Sequence, residues 1–326
     1  MQATTMKAVI AEAASSPTIQ SVSIPTPGDN QVLVKVRGTT INPSDMGFLK
    51  GYLFGPKFPT GLGFEGYGEV VASGKGGESL VGKQVCFWSL QARAWAEYTT
   101  VPIRDLMTLP DDTPIEVGTY AFLNPVTCVG LFSSVEKGNH KAAIVTVAAS
   151  QCGRILTRLC KDAGVKVIAV IRNNDQKQIC LDAGADVVLN STSEDFYESI
   201  RTNSEALNAT ILIDCVNGSF TANILKLMPF GSSAVVYGFL SGEPSINLDA
   251  TSFFMKNNSL SCFFITFWLN SLNDTELEQV HNKVRQSLRT SCRTDLSLSF
   301  SLDQIQQAVD YYSTNSAQGK VLINLN

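Results

Sequence analysis

The sequence predicts an α/β protein in which a doubly wound parallel sheet accompanies an all-β, barrel-like module. Residues 6 to about 110 consist of short β-type runs that glycine and proline interrupt. From about residue 142, apolar strands alternate with helix-length segments, which is typical of βαβ units and a parallel sheet. A chain of 326 residues is also longer than one hydrophobic core usually grows, so we expect two domains.

The second region predicts about six parallel strands with helical crossovers, the doubly wound Rossmann arrangement that binds dinucleotides. AAIVTVA is a fully apolar strand, and the helix after it is expected to end at Gly164. VKVIAVI is the next strand, and its helix is expected to end at Gly184. Further strands are predicted at ADVVL, ATILIDCV, SSAVVYG and SLSCFF.

The C-terminal part predicts two amphipathic helices and a last strand. NDTELEQVHNKVRQSL has one polar face, and a capping box of Ser301 and Gln304 opens SLDQIQQAVDYY. The closing GKVLINL is a strand with no obvious place in a completed parallel sheet, so we expect it to return to the N-terminal β module.

Composition and charge exclude several classes of partner. The net charge of −4 and the scattered lysines and arginines provide no attractive field for nucleic acid or anionic lipid. No apolar run approaches the length of a membrane span, and the chain passes directly from its N-terminus into the strand MKAVI, so the cytoplasm is the expected location. The eight cysteines form no CxxC pair and are expected to be buried free thiols.

The first strand of the α/β region leads into a turn of small residues, Ala148-Ala149-Ser150-Gln151-Cys152-Gly153, and then into a helix. Small residues allow the backbone to approach a pyrophosphate, whose charge the N–H groups of the helix N-terminus can meet. The turn is a degenerate form of the glycine-rich fingerprint. A tight helix entry without a ligand would have the same sequence.

The end of the second strand bears on the choice of cofactor. An NAD site usually places an acidic residue there, against the ribose hydroxyls. This chain has Arg172, Asn173 and Asn174 instead, which suit a 2′-phosphate and predict NADPH. The alternative is a solvated arginine at a strand end.

Two motifs, INPSD at residues 41–45 and GFEGYG at residues 63–68, introduce a family resemblance. The chain resembles the zinc-independent branch of the medium-chain dehydrogenase/reductase superfamily, the group of quinone oxidoreductases and 2-enoyl thioester reductases. The resemblance extends nearly end to end through the ordered motifs NPSD, GFEG, RAWAEY, NPVT, AASQCGR, VIRN, VYG, FWL and GKV. It implies a GroES-like catalytic domain over residues 1–122, a Rossmann domain over 123–268, and a return to the catalytic domain over 269–326.

The same comparison predicts a site without metal. Zinc-dependent relatives carry a cysteine near the NPSD motif and a His-Glu pair after the later glycine. Here Ser44, Asp45, Phe64 and Glu65 occupy those places, and they do not supply the ligands of a tetrahedral catalytic zinc. The four-cysteine zinc lobe is missing, and His140 and His281 lie elsewhere, where we expect them on the surface.

The resemblance also implies a set of cofactor-binding residues. Asn124 would hold the cofactor near the nicotinamide, the turn would wrap the pyrophosphate, and the end of the second strand would meet the 2′-phosphate. Two aromatic segments would line the nicotinamide, with core packing as the alternative for each, and a C-terminal lysine would reach back to the cofactor. In chain order the set is Asn124, Ser150, Gln151, Cys152, Gly153, Arg172, Asn173, Asn174, Tyr237, Gly238, Phe239, Leu240, Phe267, Trp268, Leu269 and Lys320.

Hydride addition to an enone or quinone leaves negative charge on the acceptor oxygen, so a metal-free site needs a hydrogen-bond donor there. Enoyl thioester reductases use a tyrosine after the NPSD motif. Tyr52 lies one position earlier than that pattern, where Leu53 stands, and Phe64 replaces the asparagine that these enzymes tend to have. We therefore expect an NADPH-dependent quinone or enone reductase, with Tyr52 as donor or as a rim aromatic that shapes the pocket, and with Asn42 and Tyr67 as further pocket residues.

The sequence leaves two alternative functions open, and it also predicts an oligomeric state. The first alternative is a 2-enoyl thioester reductase, and the second, of another class, is a non-catalytic NADPH-binding protein. The apolar run SLSCFFITFWL falls at the expected sheet edge, where an exposed strand is a liability, so we expect a homodimer paired there.

Overall fold

The computed structural model describes residues 4–315 and 318–325. The chain divides into two compact units. The first contains the residues up to Leu123 together with those from Thr294 on, and the second contains Asn124–Arg293. Each unit has its own hydrophobic core.

The N-terminal part of the first unit is mainly β structure, as the short β-type runs predicted. An apolar core forms where alternate residues of β3, β5 and β6 point to one side. The elements are β1 (Thr5–Ala11), β2 (Pro17–Ser23), β3 (Gln31–Thr40), α1 (Pro43–Leu49), β4 (Thr60–Gly61), β5 (Glu65–Ser73), β6 (Gln84–Trp88), β7 (Tyr98–Pro102), β8 (Leu106–Leu109) and α2 (Ile115–Thr119), with 3-10 helices at Glu78–Leu80 and Ile103–Asp105.

The second unit is built around a parallel sheet of six strands, which confirms the predicted α/β fold class. Its central strands are buried on both faces, as their continuous apolar sequences require. Its elements are α3 (Leu123–Lys137), β9 (Ala142–Val145), α4 (Gln151–Asp162), β10 (Lys166–Ile171), α5 (Lys177–Ala183), β11 (Val187–Asn190), α6 (Phe196–Leu207), β12 (Ala209–Asp214), α7 (Gly218–Leu225), β13 (Ser233–Val236), α8 (Ala250–Met255), β14 (Ser259–Cys262), α9 (Ile265–Ser271) and α10 (Asp274–Ser287), with a 3-10 helix at Asn174–Gln176.

The strand order of this sheet is β11-β10-β9-β12-β13-β14. The order reverses between the neighbouring strands β9 and β12, and ligands of open α/β sheets bind at such a switch point. β14 is an edge strand, as the sequence predicted, although the apolar run that begins there continues into helix α9 rather than into a longer strand.

The last part of the chain completes the first unit. It consists of β15 (Leu296–Ser301), a 3-10 helix at Leu302–Gln304, α11 (Ile305–Asn315) and β16 (Lys320–Asn324). β16 pairs antiparallel with β3 in a seven-stranded sheet, which confirms that the final strand returns to the N-terminal module. The predicted capping box of Ser301 and Gln304 is also present.

The return to the first unit occurs at Thr294, whereas the sequence interpretation placed it at residue 269. The segment between these positions is held by the second unit. The side chain of Arg158 in α4 donates to the backbone carbonyls of Ser291 at 2.8 Å and Arg293 at 2.6 Å. An arginine that bonds two distant carbonyls has no local sequence signature, so the boundary was placed too early.

Two expectations about individual side chains were wrong. His281 is buried rather than exposed, because it shares the inward face of α10 with Leu277 and Val284 at helical spacing. Burial lowers the pKa of His281 to about 4, and the charge of Arg285 acts in the same direction. Cys262 is exposed, although the cysteines are free thiols as expected.

Among residues 4–315 and 318–325, no helix is both long enough and apolar enough to cross a membrane.

Candidate active site

The small-residue turn of the second unit closes tightly on helix α4. Ser150 caps the helix, and its Oγ accepts a hydrogen bond from the N–H of Gly153 at 3.1 Å. A Cβ on Gly153 would lie only 2.5 to 2.7 Å from backbone atoms of Ala148, so no other residue fits there. The glycine lets the helix N-terminus lie directly against the turn, where Gln151 and Cys152 form the first turn of α4. This geometry suits the binding of a pyrophosphate by backbone N–H groups.

The residue that follows β10 has a positively charged side chain that is available to a ligand. Arg172 is exposed, and within the described part of the second unit no carboxylate pairs with its guanidinium. The neighbouring amides are used locally: the Oδ1 of Asn173 accepts from the N–H of Asp175 at 3.1 Å, and the Oδ1 of Asn174 accepts from Asn190 at 3.0 Å. An unpaired arginine held at this strand end fits a 2′-phosphate.

The segment after β13 combines a buried tyrosine with exposed apolar residues. A Cβ on Gly238 would lie 2.6 to 2.9 Å from atoms of Cys215, so the chain can pass β12 closely only with glycine there. The hydroxyl of Tyr237 is buried, and burial raises its pKa well above the usual value. Phe239 and Leu240, which follow it, are exposed. The next two side chains are thus available to a ligand, and a contact of Tyr237 with the nicotinamide remains a prediction.

The second aromatic segment, residues 267–269, also contains both exposed and buried side chains. Phe267 is 74% exposed, whereas Leu269 is buried and the Trp268 ring packs on Phe263 with centroids 5.6 Å apart. Asn124, the residue expected near the nicotinamide, lies half-buried in the first turn of α3. Cofactor contacts of these residues remain predictions.

The first unit contains a buried ion pair that joins the two ends of the chain. The Nζ of Lys320 in β16 lies 3.2 Å from the Oε2 of Glu65 in β5, and both side chains are almost completely inaccessible. Oε2 also accepts hydrogen bonds from Thr40 at 2.8 Å and from the amide nitrogen of Asn42 at 3.0 Å, and Oε1 accepts from the N–H of Leu123 at 2.8 Å. Both carboxylate oxygens are thus satisfied, which a buried charge requires.

Asn42 and Lys320 are therefore engaged inside this network. The ammonium of Lys320 also donates to Oδ1 of Asn42, so both ends of the Asn42 amide are bonded within the unit. Asn42 supports the site from within rather than facing an open pocket, because its side chain is buried and fully paired. The sequence did not predict these partners of Lys320, and its expected reach to the cofactor remains a prediction.

Asp45 ties the NPSD motif to the GFEG motif. Its Oδ2 accepts from the N–H of Asn42 at 2.8 Å, which caps helix α1, and its Oδ1 accepts from the N–H of Phe64 at 3.0 Å. Complete burial raises the pKa of Asp45 from 3.8 to about 7, although both N–H donors and the nearby Lys320 oppose the shift. A protonatable carboxyl thus holds the two motifs together.

Tyr67 packs inside the first unit, whereas the sequence predicted it to be a pocket residue. Its hydroxyl donates to the carbonyl of Thr113 at 3.1 Å, and its ring covers Gly118 so closely that a Cβ there would lie 2.4 to 2.6 Å from ring atoms. Burial raises the pKa of Tyr67. The side chain holds α2 against β5. This packing accounts for a tyrosine at position 67 without any contact with a ligand.

Tyr52 lies on the loop after α1 and is 73% exposed. Phe54, on the same loop, belongs to an aromatic cluster: the Phe64 ring contacts Phe48 with centroids 5.0 Å apart and Phe54 with centroids 5.8 Å apart. The exposed Tyr52 side chain is thus accessible, which suits both a donor and a residue that shapes the pocket.

Comparisons with known proteins agree with this architecture. Residues 28–111 match the family model of the alcohol dehydrogenase GroES-like domain, and residues 152–282 match the model described as zinc-binding dehydrogenase. A solved structure from Mesorhizobium loti, assigned as an NADPH:quinone reductase, is 26% identical, with a TM-score of 0.89 and 100% of both chains covered. The chain belongs to the medium-chain dehydrogenase/reductase superfamily.

Curated members of the superfamily extend the comparison. The mitochondrial enoyl-[acyl-carrier-protein] reductase of Xenopus tropicalis is 26% identical over 274 residues, which are 82% of this chain and 78% of the relative. Prostaglandin reductase-3 of Mus musculus is 27% identical over 324 residues, which are 93% of this chain and 83% of the relative. The GroES-like domain that the resemblance implied is confirmed by the first family match.

In this chain, residues at the positions of the zinc ligands of zinc-dependent relatives form other interactions. Glu65 is paired with Lys320, and Asp45 accepts two backbone N–H groups. Over residues 4–315 and 318–325, no group of three or more His, Cys, Asp or Glu side chains could hold a metal ion. Zinc independence remains a prediction for this member.

We predict that Asp45 makes the stability of the protein depend on pH. The raised pKa means that the fold favours the protonated carboxyl, whereas the unfolded chain loses its proton first as the pH rises above 3.8. The stabilisation is therefore fully present near pH 4 and is lost as the pH rises to about 7, by up to about 4 kcal/mol.

The measurement is urea unfolding of the wild type and of Asp45→Asn, which cannot ionise, at several values between pH 4 and 7.5. The free energy of unfolding of the wild type should fall relative to that of the variant as the pH rises. Comparison with the variant cancels the opposite contribution of His281, whose lowered pKa makes the fold more stable as the pH rises from 4 to 6.5. Two parallel curves would show that Asp45 does not titrate in this range.

Proposed function

We propose that the protein is an NADPH-dependent oxidoreductase that transfers hydride to a quinone or an α,β-unsaturated carbonyl without zinc. The observation that carries this proposal is the pairing of the Gly153 turn with the unpaired Arg172 at the end of the next strand. Together they suit a dinucleotide with a 2′-phosphate. The relatives assigned as NADPH:quinone reductase, enoyl-[acyl-carrier-protein] reductase and prostaglandin reductase-3 support the same class of reaction.

When bound, NADPH would supply the hydride. Residues 150–153 would hold the pyrophosphate, Arg172 the 2′-phosphate, and the exposed Phe239, Leu240 and Phe267 would offer apolar contacts to the nicotinamide. Tyr52 would donate a hydrogen bond from its hydroxyl to the acceptor oxygen, where negative charge develops. Within the first unit, the Lys320–Glu65 network holds β16 against β5.

The first experiment measures oxidation of NADPH and NADH with a simple quinone, a short enone and a crotonyl thioester. Quinone or enone should be turned over with NADPH preferred. Arg172→Met should raise KM for NADPH by about 10- to 100-fold, as expected for a lost charge-assisted bond, and should change KM for NADH little. Lys226→Met, which removes an exposed cation at the end of α7, is the matched control and should leave both values unchanged.

Other outcomes separate the alternatives. Turnover of the thioester alone, lost in Tyr52→Phe, would establish an enoyl thioester reductase, which the curated relatives favour as the second candidate. NADPH binding without turnover of any acceptor would indicate a non-catalytic NADPH-binding protein. An equal response of NADPH and NADH to Arg172→Met would contradict the role of Arg172.

We also propose that two copies pair through β14 to form a homodimer. Within the described residues this edge strand pairs only with β13, and Cys262, Phe254 and Met255 at or near it are exposed. The N–H groups of Ser259 and Phe263 point to β13, so by strand alternation that of Cys262 points away from it. An open edge with apolar neighbours favours pairing with a second copy.

Cys262→Pro should therefore produce a monomer, because proline removes the outward N–H group. Cys262→Ser keeps that group and should remain a dimer. Light scattering at micromolar concentration decides between them, and a monomeric wild type would overturn the proposal.

A further inference from the structure

Arg93 lies in the first unit, in the connection between β6 and β7. Its aliphatic stem packs over Gly61, where a Cβ would approach its Cβ, Cγ and Cδ atoms to 3.0 to 3.1 Å. Its Nη1 donates to the carbonyls of Leu90, at 2.9 Å, and Ala92. The turn therefore holds the side chain in place through one of its three guanidinium nitrogens.

The guanidinium lies against the aromatic cluster of Phe48, Phe54 and Phe64. Its central carbon is 5.5 Å from the centre of the Phe48 ring and 5.8 Å from that of Phe64. Phe54, on the same loop as Tyr52, contacts Phe64. A cation at this distance from aromatic rings is stabilised, although less than by a carboxylate.

The charge of Arg93 has no counter-charge in the described part of the first unit. No carboxylate there forms an ion pair with it, and the buried Asp45 and Glu65 are engaged by backbone N–H groups and by Lys320. Burial lowers the pKa of the guanidinium, with no opposing acidic neighbour. Nε and Nη2 form no hydrogen bond within the described residues, and both atoms remain accessible to solvent.

We propose that Arg93 binds a carboxylate carried by the substrate, so that the acceptor is an anionic enone or quinone. The free Nε and Nη2 atoms form one edge of the guanidinium fork, which matches the two oxygens of a carboxylate. A single guanidinium suits a monoanion better than a phosphate dianion. Phe54, which is exposed, provides an apolar surface for the carbon body of the same substrate, and the buried Phe64 packs against it.

This inference rests on the proposed reductase function, and its test separates the two. The substrates are a vinyl ketone whose alkyl chain ends in a carboxylate and the methyl ester of the same compound, each assayed with NADPH. The wild type should prefer the carboxylate in kcat/KM. Arg93→Met, which keeps the aliphatic stem, should lower kcat/KM for the carboxylate about 10- to 100-fold through KM and change the ester by less than about threefold.

Two further variants control for charge and folding. Lys50→Met removes an exposed cation at the end of α1 and should change neither substrate. Arg93→Lys keeps the charge but loses the fork, and it should recover part of the preference for the carboxylate.

Turnover of both substrates with the same ratio in the wild type and Arg93→Met would overturn the role of Arg93 and leave the reductase function standing. Absence of turnover with either substrate would contradict the reductase function. Calorimetric titration with octanoate then decides the role of Arg93 independently. Binding that weakens in Arg93→Met supports it, whereas equal binding in both proteins, or none in the wild type, overturns it.

Discussion

The buried pair of Lys320 and Glu65 is the interaction on which the first unit depends. Two charges removed from water are stable only when their remaining hydrogen-bonding groups are satisfied. Here Thr40, Asn42 and the N–H of Leu123 complete the carboxylate's bonds, so one ion pair fixes the ends of β3 and β5, the cap of α1 and the last strand of the chain. The ion pair thus links the C-terminal strand of the first unit to its N-terminal part.

Much of the fold could be predicted because its signals are local. Continuous apolar strands that alternate with helices predict a parallel sheet, and a strand left over at the C-terminus predicts a return to the first module. The Lys320–Glu65 pair could not be predicted, since 255 residues separate its partners and neither has a distinctive neighbourhood. The boundary at Thr294 depends in the same way on Arg158, whose partners lie more than 130 residues away.

The local geometry of the candidate site was predictable where it depends on the backbone. The Gly153 turn and the strand end at Arg172 follow from spacing, because a strand, a turn and a helix fix where the small and charged residues lie. Side-chain roles were harder to predict. Tyr67 and Asn42 have the right residue types for a pocket, yet the structure uses their polar groups to bond Thr113 and Lys320. Arg93 was missed because only its three-dimensional surroundings show that it lacks a counter-charge.

A double-mutant cycle measures how strongly the two charges of the buried pair depend on each other. Urea unfolding would be measured for Glu65→Gln, Lys320→Met and the double variant, with the fluorescence of the buried Trp95 as reporter, because its indole N–H bonds the carbonyl of Thr40 at 3.2 Å. We predict a loss of about 3 to 5 kcal/mol for each single variant, because each leaves one charge buried without its partner, and a double variant less destabilised than the sum by at least about 2 kcal/mol. Additive losses would show that the two charges do not depend on each other and would contradict this account.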